Sequence, residues 1–350
     1  MKTIHVGNKA IGPNQPAFVI AEIGINHQGD LAIAKQMILI AHQAGADAVK
    51  FQKRTTHKIL TRAGLDRIYD SPNAFGRTYG EHREALEFNE EQYRELKQYA
   101  DRVGILMLAS VWDEDSADFI DQLDLPAFKV ASADLINLPL LKHIAQKGRP
   151  IILSTGMATM EEIEQAIRWL EQWNHDLIIL YCVSTYPASF DEINLNLIGE
   201  YQQKFPDYPI GYSGHELGIA ISTLAVAAGA KVIERHFTLD RAMKGGDHAA
   251  SLEPGGLARL VRDVHLAEKV FGSTQPKSLL DSEKPIREKL AKSVVAQVAI
   301  PQGETITAEM LTTKGPGSGL PPKYIYELPG KQAAVDIPED TVIMRDMVKW

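Results

Sequence analysis

Eight short, continuous runs of apolar residues recur along this chain, and each is followed by a stretch with helical periodicity. Continuous apolar runs, rather than alternating ones, are typical of parallel strands that are covered on both faces. The predicted strands span residues 17–25, 48–52, 105–110, 127–132, 150–155, 177–183, 209–213 and 232–237. Eight strand–helix units predict an α/β fold of the (β/α)8 TIM-barrel type, whose usual size is about 250 residues.

A doubly wound open sheet is the alternative architecture for a chain in which strands and helices alternate. Such sheets usually contain fewer strands, and no Gly-x-Gly-x-x-Gly motif follows the first predicted strand here. The number of repeats therefore favours the barrel.

One insertion interrupts the repeat, because residues 54–88 separate the second predicted strand from its helix. A loop of this length after a barrel strand is usually functional and often acts as a lid. The insertion contains Arg54, Arg62, Arg67, Arg77 and Arg83. These arginines can simply be solvated.

The two predicted strands that close the barrel lead into histidines, His215 and His236. In a right-handed strand–helix–strand unit the two strands can lie side by side and parallel. Histidines at matching ends of neighbouring strands can converge on one point, and neutral imidazole is a common ligand of divalent transition metals. The pair therefore predicts a metal site, with two ordinary hydrogen-bonded rim residues as the alternative.

The carboxyl ends of all the predicted strands are rich in polar residues, and barrel enzymes place their chemistry at those ends. The positions are Glu22, Lys50, Gln52, Ser110, Lys129, Ser132, Ser154, Ser184, Tyr186, Ser213, His215, Glu234 and His236. Lys50 and Lys129 need anions to balance them inside one cavity, and the serines add hydroxyl donors. This combination predicts a pocket for phosphate and carboxylate groups, while a Schiff-base role for either lysine is the alternative.

The charge and the cysteine content limit the classes of partner. The formal net charge of −8 gives no overall basic surface for nucleic acid, and no apolar run reaches membrane-spanning length. Cys182 is the only cysteine, so an intrachain disulfide cannot form, and we interpret it as a buried structural thiol. The first residues have no apolar signal core, and we expect a cytoplasmic protein.

The pattern of apolar residues, Pro and Gly changes after the predicted barrel. We predict a barrel domain over residues 1–271, a linker over 272–289 and a small β-rich domain over 290–350. The last segment contains short β-like runs separated by Pro and Gly turns, together with a glycine-rich loop after Lys314. A domain of this size is marginally stable alone, so we expect it to pack on a barrel.

Six stretches spread across the barrel resemble the sialic acid (nonulosonate) synthases. They are AEIGINHQG at 21–29, VKFQ at 49–52, FKVAS at 128–132, LSTGM at 153–157, GYSGH at 211–215 and ERHFT at 234–238. The last sixty or so residues resemble the antifreeze-like (SAF) domain that this family carries after its barrel. Three further stretches, at 78–83, 210–216 and 247–254, look closer to the animal N-acylneuraminate-9-phosphate synthases than to the typical bacterial enzyme.

The resemblance implies a reaction in which phosphoenolpyruvate condenses with N-acetylmannosamine or its 6-phosphate. The products would be N-acetylneuraminate, or its 9-phosphate, and phosphate that leaves by C–O cleavage. His215 and His236 would hold a divalent metal, Mn²⁺ in the first place with Mg²⁺ or Co²⁺ as alternatives, and Glu22 would orient groups or move protons.

The resemblance also implies two sets of binding residues. The phosphoenolpyruvate set is Lys50, Ser110, Lys129, Ser132, Ser154, Ser184 and Ser213. The sugar set is Gln52, Asp134, Tyr186, Asp247 and Lys314. Position 314 is Lys where bacterial relatives place an Arg that reaches into a partner's site, and Lys cannot make the planar two-pronged contact of Arg.

By the same resemblance the protein would be a domain-swapped homodimer, in which each small domain caps the barrel of the other subunit. Three alternatives to the predicted function stay open. The chain could make another nonulosonate, of the legionaminate, pseudaminate or KDN type, by the same chemistry. It could be a Schiff-base barrel aldolase, or a non-catalytic carbohydrate- or ice-binding protein.

Overall fold

The structure is a computed structural model that describes residues 1–272 and 276–350. The chain divides into two units, Met1–Gly272 and Ser273–Trp350.

An antiparallel hairpin of β1 (Ile4–Val6) and β2 (Lys9–Ile11) opens the chain. The apolar side chains of the hairpin are buried together with Phe18 and Ile20 from the start of the first barrel strand. The hairpin therefore plugs the amino-terminal end of the barrel and leaves the opposite end for chemistry.

Eight parallel strands follow and close into a barrel. They are β3 (Phe18–Gly24), β4 (Ala48–Lys53), β5 (Leu106–Val111), β6 (Phe128–Val130), β7 (Ile151–Ser154), β8 (Leu177–Cys182), β9 (Ile210–Gly214) and β10 (Val232–His236). Each strand pairs with the next in the chain, and β10 returns to pair with β3. The predicted (β/α)8 barrel is confirmed. The open sheet is excluded because β3 and β10, the first and last of these eight strands, are hydrogen-bonded to each other.

The barrel unit contains eleven helices within its described residues. They are α1 (Leu31–Gln43), α2 (Thr56–Ile59), α3 (Arg62–Asp66), α4 (Tyr79–Glu84), α5 (Glu90–Val103), α6 (Glu114–Gln122), α7 (Leu138–Ala145), α8 (Met160–Leu170), α9 (Asn196–Lys204), α10 (Ala220–Ala227) and α11 (Pro254–Phe271). Eight of them, α1 and α5 to α11, follow the eight strands in turn and bury apolar residues against the outside of the barrel. No helix in the described part of the chain combines the length and the apolar character needed to cross a bilayer.

The insertion at 54–88 is a folded element and not the open loop that its length suggested. It contains α2, α3 and α4, and α4 begins with a capping box between Thr78 and Glu81. Arg54 and His82 are buried, and His82 packs against the rings of Tyr69 and Phe75. The insertion therefore forms a fixed wall beside the carboxyl ends of the strands.

The second unit is small and built mainly of short strands. Its elements are α12 (Lys284–Leu290), β11 (Ser293–Ala296), β12 (Leu311–Lys314), β13 (Gln332–Ala333) and β14 (Val348–Lys349). A separate apolar core, which includes Val294, Ile306 and Ile343, holds these elements together. The predicted linker at 272–289 lies partly outside the described residues, and most of α12 falls within its second half.

Candidate active site

A cavity of about 350 Å³ opens at the carboxyl ends of the barrel strands. It is lined by every residue of the predicted site except Asp134 and Lys314. These lining residues are Glu22, Lys50, Gln52, Ser110, Lys129, Ser132, Ser154, Ser184, Tyr186, Ser213, His215, His236 and Asp247. The barrel brings them together because its parallel strands all end at the same rim.

Two buried lysines form the floor of the cavity, and each donates to a serine on the next strand. Lys50 Nζ lies 2.8 Å from Ser110 Oγ, and Lys129 Nζ lies 2.7 Å from Ser154 Oγ. Ser110 and Lys129 are paired in register across β5 and β6. The two ammonium groups are therefore held in place by hydroxyls on neighbouring strands.

Two carboxylates balance the charges of these lysines. These ion pairs were not predicted from the sequence. Glu22 Oε2 lies 2.7 Å from Lys50 Nζ, and Glu234 Oε1 lies 3.4 Å from Lys129 Nζ. Burial lowers the pKa of Lys129, and the charge of Glu234 opposes that shift. Burial favours the protonated form of Glu234, but Lys129 and Lys50 outweigh it and hold the pKa of this carboxyl below its usual value. The cluster is thus internally neutralised before any ligand binds.

A cradle of small polar groups surrounds Gly156, just beyond β7. The backbone N–H of Gly156 donates to Ser132 Oγ at 2.9 Å, and Cys182 Sγ lies 3.2 Å from the same oxygen. A Cβ atom added at residue 156 would come within 2.1 Å of Ser184 Oγ. Cys182 is buried as predicted, yet it also lines the cavity. The cradle therefore exists only because position 156 has no side chain.

The resemblance to the sialic acid synthases implies that these hydroxyls bind phosphoenolpyruvate. On that basis we expect Gly156→Ala to raise the KM for phosphoenolpyruvate by roughly 10- to 100-fold, since the methyl group would displace hydroxyls worth about 1.5–3 kcal/mol each to a charged ligand. Steady-state kinetics at saturating sugar would measure the change. Gly199→Ala is the matched control, because it places a methyl group in open space on α9. Gly148→Ala would not serve, because Gly148 has a positive φ that disfavours any side chain. An unchanged KM in Gly156→Ala would show that the cradle does not bind this substrate.

The two histidines lie close together at the mouth, with ring centroids 5.4 Å apart and ring planes inclined at 53°. His215 Nδ1 lies 2.7 Å from the carbonyl oxygen of Val183, which can only accept, so Nδ1 carries the proton and Nε2 keeps a free lone pair. His236 Nδ1 is buried without a hydrogen-bond partner and lies 3.7 Å from Asp247 Oδ2. Burial, reinforced by the neighbouring His236, lowers the pKa of His215 to about 3, which keeps this ring neutral.

These features fit a divalent metal ion. An oriented, neutral imidazole with a free nitrogen and a second imidazole nitrogen left unsatisfied are suitable donors. Within residues 1–272 and 276–350, no group of three or more His, Cys, Asp or Glu side chains is arranged to hold a metal. The protein's contribution would therefore be this pair of imidazoles, and the remaining positions would be open to substrate or water.

The predicted sugar-binding residues divide between two places. Gln52 Nε2 donates to Glu22 Oε1 at 3.1 Å, and the ring of Tyr186 lies 4.1 Å from that of His215. Asp134 instead lines an adjoining cavity of about 530 Å³, where it accepts a hydrogen bond from Asn137. It does so because Ser132–Asp134 forms a 3₁₀ turn beyond the end of β6.

Lys314 belongs to the second unit. It lies on β12 with an exposed side chain and forms an ion pair with Asp340 in the same unit. Its role in sugar binding stays a prediction.

Several residues of the cavity wall were not assigned a role from the sequence. Glu234 was recognised as a rim position but was given no role, although its spacing from His236 places both on one face of β10. Arg54 and Arg83 from the insertion also line the cavity, together with Tyr79 and His82. Their density in the insertion was the available signal, but the sequence alone did not show which arginines face inward.

Comparison with known proteins is consistent with this geometry. The model of the NeuB family matches residues 37–276, and that of the SAF domain matches residues 291–349. The chain belongs to the NeuB family. Human N-acetylneuraminate-9-phosphate synthase is 50% identical over 97% of this chain and 94% of its own length.

Two bacterial proteins are also similar to this chain. The N,N′-diacetyllegionaminic acid synthase of Legionella pneumophila is 36% identical, with 98% of both chains covered. The crystal structure of the N-acetylneuraminic acid synthetase of Leptospira borgpetersenii, in complex with citrate, is 35% identical with a TM-score of 0.73. That alignment covers 81% of this chain and 95% of the other. The resemblance stated from the sequence motifs is confirmed.

Proposed function

We propose that this NeuB-family chain condenses phosphoenolpyruvate with N-acetylmannosamine or its 6-phosphate. Carbon 3 of phosphoenolpyruvate forms a bond to the aldehyde carbon, and the aldehyde oxygen gains a proton. Water adds at carbon 2 and loses one proton. The bond between carbon 2 and the phosphate oxygen then breaks, its electron pair leaves with phosphate, and the remaining hydroxyl proton passes to the departing phosphate as carbon 2 becomes the ketone carbonyl. The observation that carries the proposal is the buried lysine pair beneath two neighbouring histidines, in a chain half identical to such a synthase.

The floor of the cavity would bind phosphoenolpyruvate. Lys50 and Lys129 would supply ammonium groups for its carboxylate and phosphate, because an ammonium group has three N–H donors and can contact a ligand anion as well as its carboxylate partner. The hydroxyl donors on neighbouring strands would complete the set. They are Ser110, Ser132, Ser154, Ser184 and Ser213. Burial strengthens each of these contacts, since the local dielectric constant is lower than that of water.

Glu22 would orient groups or move protons at the reacting carbon. Its two oxygens lie 2.7 Å from Lys50 Nζ and 3.1 Å from Gln52 Nε2, so the carboxylate is fixed between the two binding regions. A carboxylate in this position can orient the attacking water and accept its proton.

His215 and His236 would hold the divalent ion, for which Mn²⁺ is our first choice and Mg²⁺ or Co²⁺ are alternatives. The bound ion supplies Lewis-acid polarisation of the aldehyde oxygen. Gln52, Tyr186 and Asp247 would bind the sugar hydroxyls from the wall beside it. Roles for Asp134 and Lys314 at the sugar belong to the same proposal.

The geometry of the cavity also bears on the alternative functions predicted from the sequence. Another nonulosonate product would use the same floor, and legionaminate and pseudaminate synthases are among the relatives. A Schiff-base aldolase needs a lysine amine that is free to attack a carbonyl. Both amines are already engaged: Lys50 Nζ lies 2.7 Å from Glu22 Oε2, and Lys129 Nζ lies 2.7 Å from Ser154 Oγ.

The assembly and location complete the proposal. We retain the domain boundaries 1–271, 272–289 and 290–350, and a domain-swapped homodimer in which each SAF domain caps the other barrel. A cytoplasmic location is supported by the single cysteine, which leaves no intrachain disulfide to require an oxidising compartment.

The decisive assay follows phosphate release from phosphoenolpyruvate with N-acetylmannosamine, its 6-phosphate, mannose 6-phosphate or a 6-deoxy diamino sugar. We expect release only when an aldose is present, loss of more than nine-tenths of it after chelation, and its return with Mn²⁺. Full activity in chelator, together with borohydride trapping of a lysine adduct, would instead establish the Schiff-base aldolase.

A further inference from the structure

A single buried guanidinium links the two strand ends that carry the candidate metal ligands. Arg235 lies on β10 directly before His236, and it pairs in register with Gly214, the last residue of β9. Successive side chains of a strand point to opposite faces, so Arg235 points away from the cavity that His236 lines. Its side chain is fully buried, as is that of Glu216, the residue after His215. The guanidinium therefore lies behind the two imidazoles and not among the groups that could touch a ligand.

The guanidinium holds the loop that follows β9 by its backbone as well as by a side chain. Arg235 Nη1 donates to Glu216 Oε1 at 2.7 Å and to the carbonyl oxygen of Gly218 at 2.8 Å. Its Nη2 donates to the carbonyl oxygen of Glu216 at 2.5 Å. The loop leads from His215 to α10, and Nη1 also lies 3.0 Å from Ser222 Oγ on that helix. One side chain of β10 thus fixes the segment that follows the other histidine.

The surrounding residues hold this contact in one geometry. Tyr212 on β9 donates to Glu216 Oε2 at 2.8 Å, so both oxygens of the carboxylate are occupied. A Cβ atom added at Gly214 would come within 2.6 Å of Glu216 Oε2 and 3.0 Å of Arg235 Cδ. The absence of a side chain at position 214 therefore makes room for the ion pair between the two strands.

We propose that Arg235 and Glu216 are positioning residues that set the separation of the His215 and His236 rings, so that both imidazoles can bind one divalent ion. This inference rests on the proposed function, in which these rings are the metal ligands. The carbonyl group of Val183 orients the ring of His215 but does not tie it to β10. Two donors must lie at a defined separation to bind one ion, since metal–ligand bonds are short and of nearly fixed length.

Titration of the metal-free, full-length protein with Mn²⁺ by calorimetry tests this role. We expect Arg235→Lys to weaken Mn²⁺ binding by about tenfold, because it keeps the charge but replaces two donor nitrogens with one. At limiting Mn²⁺ the kcat for phosphate release should fall by a similar factor. The KM for phosphoenolpyruvate should change by less than about twofold, since Lys50 and Lys129 lie on β4 and β6. A general loosening of the barrel would instead change the KM as well.

The double variant Arg235→Met, Glu216→Gln separates positioning from stability. It removes both buried charges and should unfold at a higher temperature than Arg235→Met alone. It still lacks the donors to the carbonyl groups of Glu216 and Gly218. We therefore expect its Mn²⁺ binding to stay about tenfold weaker than that of the unchanged protein. Full affinity in this variant would overturn the inference.

Arg149→Lys is the matched control, because Arg149 makes the same kind of contact elsewhere. Its Nε lies 2.6 Å from Asp121 Oδ1, and its Nη groups donate to the carbonyl oxygens of Asp121 and Leu125. Arg149 precedes β7 and so lies at the opposite end of the barrel. Its replacement should leave Mn²⁺ affinity within about twofold of the original value. An equal loss of affinity in Arg149→Lys and Arg235→Lys would overturn the inference.

The unchanged protein separates this inference from the proposed function. If it does not bind Mn²⁺, the metal site of the proposed function fails and the positioning role fails with it. If it binds Mn²⁺ and Arg235→Lys binds the ion equally tightly, the metal site stands and only the positioning role falls.

Discussion

His215→Ala is expected to lower kcat/KM for phosphate release by about a thousandfold. The variant removes one of the two imidazoles that we propose as metal ligands, and Lewis-acid activation of a carbonyl is worth several kcal/mol. The same variant should weaken Mn²⁺ binding by at least tenfold when the apoprotein is titrated by calorimetry. The two readouts separate a lost metal from a lost catalytic contact.

His143→Ala provides the control for that measurement. His143 lies on α7, pairs with Asp118 and does not line the cavity. Its replacement should leave both Mn²⁺ affinity and kcat/KM within about twofold of their original values. Turnover that survives unchanged in His215→Ala would refute the metal assignment.

Arg235→Met should lower the free energy of unfolding by about 3–5 kcal/mol, because it leaves a buried charge without its partner. Arg235 is fully buried beside His236, and its Nη1 lies 2.7 Å from Glu216 Oε1 and 3.0 Å from Ser222 Oγ. Tyr212 donates to the other oxygen of Glu216 at 2.8 Å. Removal of the guanidinium would therefore strand the carboxylate in the interior. Urea unfolding followed by circular dichroism would measure the change.

The double variant Arg235→Met, Glu216→Gln should recover part of this loss, since the buried charge is then absent. Arg62→Met serves as the exposed counterpart: its ion pair with Asp66 spans 3.7 Å at the surface, and its loss should have no measurable effect. Equal stability of Arg235→Met and the unchanged protein would show that the buried pair is not a structural anchor.

The barrel and the positions at its rim could be predicted from the sequence because both follow from periodicity. Continuous apolar runs mark buried parallel strands, and the residue at each strand end must point toward one common face. The pairs Lys50 with Ser110 and Lys129 with Ser154 follow from that geometry. Periodicity does not show which side chains on different strands contact each other. The ion pair between Glu234 and Lys129 could therefore not be predicted from the sequence.

The sequence carries less information where the chain leaves regular structure. Asp134 was assigned to the sugar by resemblance, and that role stays a prediction, while the 3₁₀ turn at Ser132–Asp134 directs the side chain into the adjoining cavity. The insertion at 54–88 is folded through contacts among aromatic side chains and a buried arginine, which have no repeating pattern. Long-range packing of this kind decides which of the five arginines faces the site, and local sequence does not encode it.

The central claim is that this barrel joins an aldose to phosphoenolpyruvate and releases phosphate by breaking the C–O bond. Phosphoenolpyruvate labelled with ¹⁸O at its bridging oxygen tests that claim most directly, with the released phosphate analysed by mass spectrometry. We predict sugar-dependent release of phosphate that contains the label. Phosphate without the label, or release that does not require the sugar, would contradict the account.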